Sequence, residues 1–490
     1  RTGVAGCPSR RAAVEVARRV AGGVAGGVAP AGGGLGRYSD TVERLVRSRG
    51  IGTVGGKALP EVKGLLGPWV HQLPHLSQTG PNVDWIEEVA SFVVRHTSAK
   101  LPHAPQSSLT YFMSESLPVG PELPSRTPGH FRVVSAEELA RASVPSEALR
   151  LRAASDGSLQ PAGEPTLPKG GLAAADGIGM VPDELVGAAS GEWFSWGLSD
   201  DAAGDQTPDD ALSLTFDLPA TASPHAGVEV SGRPVVHAWL KGDAARRALT
   251  APPGGTDCLV ARLCVVGSDG VSRLAAVGAA SLTLAQPVEE PRTAGSAVSL
   301  AALLEVDLHF AAFRVAPGEK LRIALSSSYF PMFLAVGGHG AMELQRVELT
   351  LPCLGGRETE LPPPNLMHAA TAKATLQRLR APKQERTLLA EEKGVLMKLD
   401  DGTVLTEGGL AVASRGELTM RAQPRGRRLR ASATFASILS KADEHARLEV
   451  AASLVAARGN PRAATVCTTI TATANGATMW SKTFEDVVAL

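Results

Sequence analysis

From about residue 105 onward, the chain is a succession of short apolar runs separated by proline, glycine and aspartate. Runs of this length and spacing, with almost no helical periodicity, are typical of the strands of a β-sandwich or jelly roll. The contents of glycine and proline, 52 and 34 residues, agree with many turns between short elements. No fixed-period repeat is present, which argues against solenoids and propellers. The runs are LTYFM, FRVV, LRLRA, LSLTFDLP, VEVSGRPVVHAWL, CLVARLCVV, LLEVDLHFAAF, LRIALSSSYF and MELQRVELTLP.

A second β-rich region follows the first. Its start is marked by a proline-rich break, ETELPPPN, and the apolar runs after the break alternate with polar residues as strands do. Asp401-Gly402 and Asn475-Gly476 lie between apolar runs, and such dipeptides are hairpin-turn signals. The sequence therefore predicts further antiparallel strands after the sandwich.

The first hundred residues differ from the rest because they combine strand, turn and helix signals. The run VKGLLGPW, residues 62–69, is short and apolar, contains Gly-Pro near its end, and predicts a buried strand that meets a turn. In PNVDWIEEVASFVVRH, Pro81 and Asn82 provide helix-start chemistry. Residues 21–36 are almost entirely Gly, Ala and Val, so ordering them costs much backbone entropy and we expect them to be flexible. The apolar positions at helical spacing are Val83, Ile86, Ala90 and Val93.

Charge and composition disfavour several classes of function. Lys plus Arg equals Asp plus Glu at 49 each, so no net field steers nucleic acid or an anionic membrane to the chain. No run approaches the roughly 18 apolar residues of a membrane span. The cysteines are odd in number, widely spaced and without a C-x-x-C motif, which disfavours a disulfide framework and a zinc site. We therefore expect a cytoplasmic protein without cofactor or metal, and without nucleic-acid or membrane partners. The cysteines are Cys7, Cys258, Cys264, Cys353 and Cys467.

Three segments together resemble a known family. The first is KGLLGPWVHQLPH, Lys63–His75. The second is WFSWG followed by DQTPDDALSLTFDLP, within residues 193–219, and the third combines GRPVVHAWL, CLVARLCVVGSDGVSRL and VAPGEKLRIALSSSYFPMF. In this order they are similar to X-prolyl dipeptidyl aminopeptidases and cocaine esterases, serine hydrolases in which an α/β-hydrolase domain precedes a jelly-roll domain. The resemblance covers about residues 34–490.

The resemblance implies that His71 is the histidine of a catalytic triad. In the family a G-P-W-x-H turn places that histidine after a late strand of the hydrolase sheet, and a general base for a serine belongs at the open end of such strands. A histidine with a purely structural role is the alternative. His71 and His75, at i and i+4, also raise the idea of a metal pair, but Pro74 between them breaks the helix that this arrangement needs.

The other two members of the triad have no match in this sequence. The family nucleophile lies on a G-x-S-x-x-G elbow, and none occurs before His71, since Ser9 in GCPSRR lacks the second glycine and a preceding strand. When GGLGRYSDTVERL is matched at Tyr38, the acid position falls on Gly36, which has no carboxylate. Asp40, four residues further on, serves as the acid only if the loop is rebuilt.

Several other features have both a structural and a functional interpretation. DQTPDDAL predicts an acidic turn rather than a calcium loop, because it lacks alternating oxygen ligands and a terminal Glu. The basic cluster PRGRRLR predicts a solvated hairpin rather than a phosphate site. Cys258 and Cys264 fall on one side of a strand by parity, and we expect both to be buried. Trp193, Trp196 and Trp239 are candidates for a sugar-binding face, although packing is the commoner role of tryptophan.

These observations combine into one interpretation with one alternative. We predict a mainly β protein with an α/β N-terminal part. Residues 1–104 are expected to be the C-terminal remnant of an α/β-hydrolase domain, 105–355 a galactose-binding-like jelly-roll β-sandwich, and 356–490 a β-rich C-terminal extension. The resemblance implies a serine hydrolase that transfers an acyl group from a peptide or ester substrate to water, and the missing triad members imply that this chain is inactive. The alternative is a non-catalytic β-sandwich module that binds a partner or a carbohydrate.

Overall fold

The computed structural model describes most of the chain from Tyr38 onward. The segment 21–36, Trp193 and Trp196 lie outside the described residues, and so do the predictions made for them. The described residues are 38–51, 53–54, 57–58, 60–97, 106–120, 123–141, 148–162, 178–182, 186–191, 202–218, 227–250, 257–288, 301–330, 332–333, 341–364, 376–380, 383–389, 394–406, 409–423, 428–456 and 463–489.

Strands greatly outnumber helices in this part of the chain, so the prediction of a mainly β protein is confirmed. No helix among the described residues is long and apolar enough to cross a membrane. The helices are α1 (Tyr38–Arg47), α2 (Trp85–Thr97), α3 (Ala136–Arg141), α4 (Thr207–Asp210) and α5 (Gly242–Thr250), with 3-10 turns at Ser48–Ile51 and Leu282–Leu284. The strands are β1 (Thr53–Val54), β2 (Lys57–Ala58), β3 (Lys63–Leu66), β4 (Ser108–Ser114), β5 (Gly129–Ser135), β6 (Leu149–Ala153), β7 (Leu159–Pro161), β8 (Gly179–Val181), β9 (Leu214–Leu218), β10 (Val228–Gly232), β11 (Val235–Lys241), β12 (Cys258–Val266), β13 (Ser272–Ser281), β14 (Gln286–Val288), β15 (Ala301–Asp307), β16 (Ala311–Val315), β17 (Lys320–Ser326), β18 (Met342–Leu351), β19 (Arg357–Thr359), β20 (Leu376–Arg380), β21 (Lys383–Leu389), β22 (Gly394–Thr406), β23 (Ala411–Gln423), β24 (Arg428–Lys441), β25 (Glu444–Ala456), β26 (Ala463–Ala474) and β27 (Ala477–Ala489).

The strands form several sheets that are almost entirely antiparallel. Parallel pairing between named strands occurs only where β3 and β16 each meet β4. β1 and β2 form a small ladder of their own. The larger sheets are a six-stranded sheet of order β10-β16-β4-β5-β19 with β3 beside β4, a seven-stranded sheet of order β14-β15-β11-β18-β6-β7 with β8 beside β18, a four-stranded sheet of order β13-β12-β17-β9, and an eight-stranded C-terminal sheet of order β20-β22-β23-β24-β25-β26-β27 with β21 beside β22.

The seven-stranded and four-stranded sheets share the largest hydrophobic core. On β11 the alternate residues Val236, Ala238 and Leu240 are fully buried in this core. On β12, in the other sheet, Leu259 and Leu263 are buried in the same core. A period of two is that of strands with one face turned inward, so the two sheets lie face to face.

β12 is buried on its second face as well. Val260, Arg262 and Cys264 have the opposite parity to the shared core, and all three are fully buried. Val260 packs in a separate cluster with Tyr329, and Cys258 lies against that cluster. The prediction that Cys258 and Cys264 share one side of a strand is therefore confirmed. The expectation that both are buried holds for Cys264 but not for Cys258, which is half-buried at the start of β12. A strand covered on both faces has a nearly continuous apolar sequence, and in CLVARLCVV only the arginine interrupts it.

Arg262 is held by polar partners that arrive from other segments. Its guanidinium lies 3.0 Å from a carboxylate oxygen of Asp210 and donates to Gln206 Oε1 at 3.0 Å and to Ser213 Oγ at 2.9 Å. The guanidinium carbon lies 5.5 Å from the ring centroid of Tyr329, whose hydroxyl donates to the same Gln206 oxygen at 2.8 Å. An arginine keeps its charge when it is buried, so these partners offset the cost of removing that charge from water.

The acidic segment DQTPDDAL forms one turn of helix, α4, directly before β9. Asp209 is buried and accepts the backbone N–H groups of residues 187–189 at 3.0 to 3.1 Å. Asp205 accepts the N–H of Ser272 at 3.0 Å. These two carboxylates therefore accept hydrogen bonds from backbone N–H groups, as expected of an acidic turn rather than of a calcium loop.

The two hairpin-turn predictions have different outcomes. Asn475-Gly476 connects β26 to β27, with both residues at positive φ, and this prediction is confirmed. The prediction for Asp401-Gly402 is wrong, because β22 continues through both residues. Its register with β23 shifts at this point, and Gly402, at φ 79, supplies the positive φ that such a bulge favours. Strands pair with β22 on both sides, so the chain bends here without reversing.

Helix α2 begins at Trp85, later than the predicted start at Pro81 and Asn82. Asp84 caps it, since its Oδ1 accepts the N–H of Glu87 at 3.0 Å. The side chain of Asn82 instead donates to a carbonyl of the preceding turn at 2.9 Å. The predicted start is therefore two residues too early, because Asn82 and Asp84 both have the side-chain chemistry of a helix cap and only Asp84 caps the helix.

The apolar stripe of α2 is less buried than its spacing predicts. Val83 is buried, but it lies before the helix. The side chains of Ile86, Val89, Val93 and Val94 are between 40% and 58% exposed, and we call them the α2 face. Within the described residues, no residue of α2 is fully buried. Amphipathic spacing thus predicted the helix correctly, but it did not show whether another element packs on its apolar side.

The C-terminal sheet has one apolar and one polar face. Cross-strand register places Val395, Met420 and Leu454 on the same face. These side chains pack against Phe330, in the segment that follows β17 of the four-stranded sheet. The C-terminal region therefore contacts the sandwich through one corner of its apolar face.

We expect Asp210→Ala to lower the free energy of unfolding by about 3 to 5 kcal/mol, because it leaves Arg262 buried without its carboxylate. Asp243→Ala is the matched control, since it removes an exposed carboxylate of α5 that lies 3.6 Å from Arg247, and it should cost less than about 1 kcal/mol. Urea titration followed by circular dichroism measures both. Similar small losses in the two variants would contradict the role given to Arg262.

We expect the thiol of Cys264 to resist alkylation in the folded protein. Burial raises the pKa of Cys264 to about 12, so only about one molecule in ten thousand carries the thiolate at pH 8. Cys353 is exposed and should react first. Iodoacetamide labelling followed by peptide mass spectrometry, with and without urea, measures this order. Rapid labelling of Cys264 without urea would show that the second face of β12 is open.

Candidate functional site

His71 lies in the turn that follows β3. The strand ends at Leu66, Gly67-Pro68 follows, and the next residues form bends and turns. The side chain of His71 is exposed. The predicted strand and turn are confirmed, but the strand is less buried than predicted, since only Gly64 of β3 is buried. The catalytic assignment of His71 stays a prediction.

Trp69 anchors this turn to the body of the protein. Its indole Nε1 donates to the carbonyl of Pro81 at 2.8 Å, and its ring centroid lies 6.1 Å from that of Phe131. Gly67 is required here, because a Cβ at that position would lie 2.6 Å from the Trp69 ring. With Trp69 packed beside the buried Val83, His71 is held at a defined place on the surface.

An uncovered surface lies close to His71 along the chain. β3 pairs with β4 through one edge, and no other strand among those described pairs with β3. Leu73 and Leu76, in the turn after His71, are 53% and 50% exposed, and the α2 face follows them. Surfaces that combine an open strand edge with exposed apolar side chains are suited to the packing of further elements.

The arrangement of His71 and His75 does not resemble a metal pair. The residues from His71 to His75 form bends and turns, so the two rings do not share a helix face. The Nδ1 atom of His75 is buried without a hydrogen-bond partner. Among the described residues, no three His, Cys, Asp or Glu side chains cluster in a way that holds a metal.

Asp40, the possible replacement for the missing triad acid, is engaged in a buried contact. It lies in the first turn of α1 and is 4% exposed. Its carboxylate faces Nδ1 of His309 at 3.0 Å and accepts the N–H of Phe310 at 2.6 Å. Because a carboxylate only accepts hydrogen bonds, His309 donates from Nδ1. His309 lies between β15 and β16, so Asp40 fastens α1 to the sheets.

The remaining candidates have structural places or lie outside the described residues. Gly36 and Ser9 belong to the second group, as does the first part of the basic cluster, residues 424–427. Trp239 is buried on β11, with the guanidinium of Arg346 4.9 Å above its ring, so it presents no open aromatic face to a sugar. Arg430, the last residue of the basic cluster, is exposed on β24 beside the connection from β23.

A concavity of about 680 Å³ lies on the polar face of the C-terminal sheet. Basic and acidic side chains pair across it, Lys383 with Glu385 and Arg415 with Asp400 at 3.5 Å. It contains none of the site residues predicted from sequence, and its paired charges give no preference for an anion or a cation.

Comparison with known families shows which family the chain belongs to. The family model described as "X-Pro dipeptidyl-peptidase C-terminal non-catalytic domain" matches residues 77–375, more than half of the chain. The chain belongs to this family. The resemblance inferred from the three sequence segments is therefore confirmed. The match begins after His71 and His75, so the matched C-terminal non-catalytic domain does not include these two histidines.

Solved structures of hydrolases show a distant likeness to this member of the X-Pro dipeptidyl-peptidase family. A CocE/NonD family hydrolase from Staphylococcus aureus has 11% identity and a TM-score of 0.29, over 56% of this chain and 44% of that protein. An aminopeptidase from a marine sediment archaeon, Thaumarchaeota archaeon, has 13% identity and a TM-score of 0.34, over 61% and 49%. An alpha-amino acid ester hydrolase has 15% identity and a TM-score of 0.34, over 64% and 52%. The chain spans about half the length of these proteins. No curated protein gives a significant match.

Sequence reasoning missed His309, the partner of Asp40. The only sequence signal is a histidine within the apolar run LLEVDLHFAAF, and that run predicts a single strand. The structure divides that run into β15 and β16, and His309 lies in the break. A polar residue in an apolar run thus marked the end of a strand and a buried contact.

We expect Asp40→Ala to loosen α1, because it leaves two buried donors, His309 Nδ1–H and the Phe310 N–H, without their acceptor. The loss of free energy of local opening should be about 1 to 3 kcal/mol. Hydrogen exchange of the α1 amides measures it, with the exposed neighbour Thr41→Ala as the matched control. Unchanged exchange in the Asp40 variant would mean that apolar packing alone holds the helix.

Proposed function

We propose that this chain is the C-terminal part of a serine hydrolase that acts on a peptide or ester. In this proposal residues 1–104 end an α/β-hydrolase domain, residues 105–355 form a galactose-binding-like jelly roll, and residues 356–490 form a β-rich extension. Membership of the X-Pro dipeptidyl-peptidase family supports the proposal, and so do the two sheets that share one core.

The observation that carries the proposal is the place of His71. It is exposed on a turn fixed by Trp69, between the end of β3 and the α2 face. A triad histidine needs a fixed backbone and an open side toward the nucleophile, and this turn has both. A hydrolase body packed on the α2 face would cover its exposed apolar side chains and bring its own catalytic groups to the same side of the turn.

In the complete site His71 would act as the general base and then as the general acid. It would accept the proton of the serine hydroxyl as that oxygen attacks the acyl carbon, and would return the proton to the leaving amine or alcohol. A carboxylate would hold the ring in the correct tautomer. Asp40 is a poor choice for this carboxylate, because its oxygens already face His309 and the N–H of Phe310.

The second candidate function is a non-catalytic module that binds a partner or a carbohydrate. The family match favours it, because the matched domain is described as non-catalytic and begins at residue 77, after His71. Under this proposal His71 has no chemical role, and the sheets carry the function. The two candidates differ in whether any serine of the protein is activated.

We expect the chain as given to show no hydrolysis of aminoacyl-proline amides or simple aromatic esters above background. The physical reason is that no serine elbow precedes His71 in its sequence, so no hydroxyl is activated and no oxyanion hole forms beside it. His71→Ala should therefore leave the background rate unchanged, as should the matched control His75→Ala. Spectrophotometric assays with both substrate classes measure the rates.

Covalent labelling with a fluorophosphonate provides an independent check, since it reports an activated serine without a choice of substrate. We expect no labelled serine in the wild type. A label that is present in the wild type and in His75→Ala but absent in His71→Ala would overturn the prediction of inactivity, and would show that a complete site exists within this chain.

A further inference from the structure

The last strand of the C-terminal sheet, β27, forms an unpaired edge. It pairs with β26 along its length, apart from one register shift between Thr478 and Trp480, and no other strand among those described pairs with it. All described side chains from Asn475 to Val487 are exposed. The strand is 13 residues long and contains no proline, so it has none of the shortening or proline that commonly protects an edge.

Large apolar side chains lie near this edge on one face of the sheet, together with the charged Lys482 and Asp486 of β27. Register along the ladder places Trp480 and Phe484 of β27 on the same face as Leu448 of β25 and Phe435 of β24. These four side chains are between 38% and 48% exposed. Among the described residues, Phe330 covers this face at its far corner. Apolar side chains on this face therefore extend up to the open edge.

We propose that β27 pairs with β27 of a second copy of this chain, in antiparallel register about a two-fold axis through Phe484. The two sheets then become one continuous sheet, and the apolar side chains next to the edge meet across the axis. A second copy is the occupant that the charges of the strand select. This inference is independent of any role of His71.

Charge selects this register among those that a two-fold axis allows. Such an axis passes through one residue of the strand, and residues equally far from it on the two copies face each other. With the axis at Phe484, Lys482 of each copy lies opposite Asp486 of the other on the apolar face. An axis at Lys482, Glu485 or Asp486 would instead place like charges directly opposite each other, which is unfavourable.

The neighbouring axis at Thr483 is also less suitable. It would place Lys482 opposite Phe484 and Asp486 opposite Trp480, so both charges would lie against apolar side chains without a partner. In the register about Phe484, two-fold symmetry forms two Lys482–Asp486 pairs, so each of these charges faces one opposite charge. The Lys482 amine lies 4.9 Å from the Phe484 ring centroid within one copy.

Sedimentation velocity over a range of concentrations tests the proposal on the whole chain. We expect the wild type to reach twice the chain mass and no more, because a two-fold interface closes on itself. Lys482→Asp should raise the dissociation constant about tenfold or more, because it replaces two attractive pairs by two repulsive ones. The double variant Lys482→Asp with Asp486→Lys restores both pairs and should dimerise as the wild type does.

Lys441→Asp is the matched control, since Lys441 is exposed on the same sheet but lies at the connection between β24 and β25. It should leave the dimer intact. Circular dichroism shows whether each variant keeps its strand content. A wild type that stays monomeric at every concentration, or a dimer that Lys482→Asp does not weaken, would overturn the proposal. Failure of the double variant to recover, with the fold intact, would overturn the register.

Cross-linking gives a second test that does not depend on charge. In the proposed register residue 484 faces itself across the axis, at a Cα separation of about 4.5 to 5.5 Å that suits a disulfide. In a Cys353→Ser background, Phe484→Cys should form a linked dimer on mild oxidation, while Thr478→Cys, on the same strand but far from the axis, should not. Equal linking of both variants would contradict the register.

Discussion

A positive charge buried in the middle of β12 sets the condition on which the central sheets depend. Arg262 has no exposed surface and cannot lose its proton, so the chain must bring it acceptors. Asp210, Gln206 and Ser213 supply them, and all three belong to the segment around α4 that covers the second face of the four-stranded sheet. Asp209, beside Asp210, holds the loop of residues 187–189 against the same segment. The buried charge therefore fixes the position of covering segments that have little secondary structure of their own.

A second buried polar contact joins the N-terminal elements to the sheets. Asp40 receives His309 and the N–H of Phe310, which lie where the chain passes from β15 to β16. This contact uses the carboxylate that lies nearest in sequence to the missing triad acid. His71 is left exposed, and the α2 face beside it is without a cover among the described residues. Asp40 thus joins the N-terminal part to the sheets, while His71 and the α2 face remain exposed among the described residues.

The C-terminal sheet differs from the two central sheets in how much of its apolar face is buried. The two central sheets bury their apolar faces against each other, whereas the apolar face of this sheet contacts them, within the part of the chain that the structure describes, near Phe330. Its polar face carries paired charges and many serine and threonine side chains, including Thr469 bonded to Thr483 across β26 and β27. An antiparallel sheet can remain solvated on one face, but an apolar face that reaches an open edge favours association. This contrast is the physical basis for assigning self-association to the end of the chain and not to the sandwich.

The sequence by itself determined the mainly β fold, the strand and turn around His71 and the shared side of Cys258 and Cys264, because each of these follows from the local period and from turn chemistry. Local signals failed where the outcome depends on what packs beside a segment. Asp401-Gly402 forms a bulge because strands pair with β22 on both sides. The apolar stripe of α2 is exposed because no described element covers it. Only the tertiary structure decided that Asp40 binds His309, 269 residues away, and that Asp210 of the acidic turn forms an ion pair with the buried Arg262. Such contacts depend on how the sheets stack, and the polarity of a residue alone does not specify which distant partner the fold will bring to it.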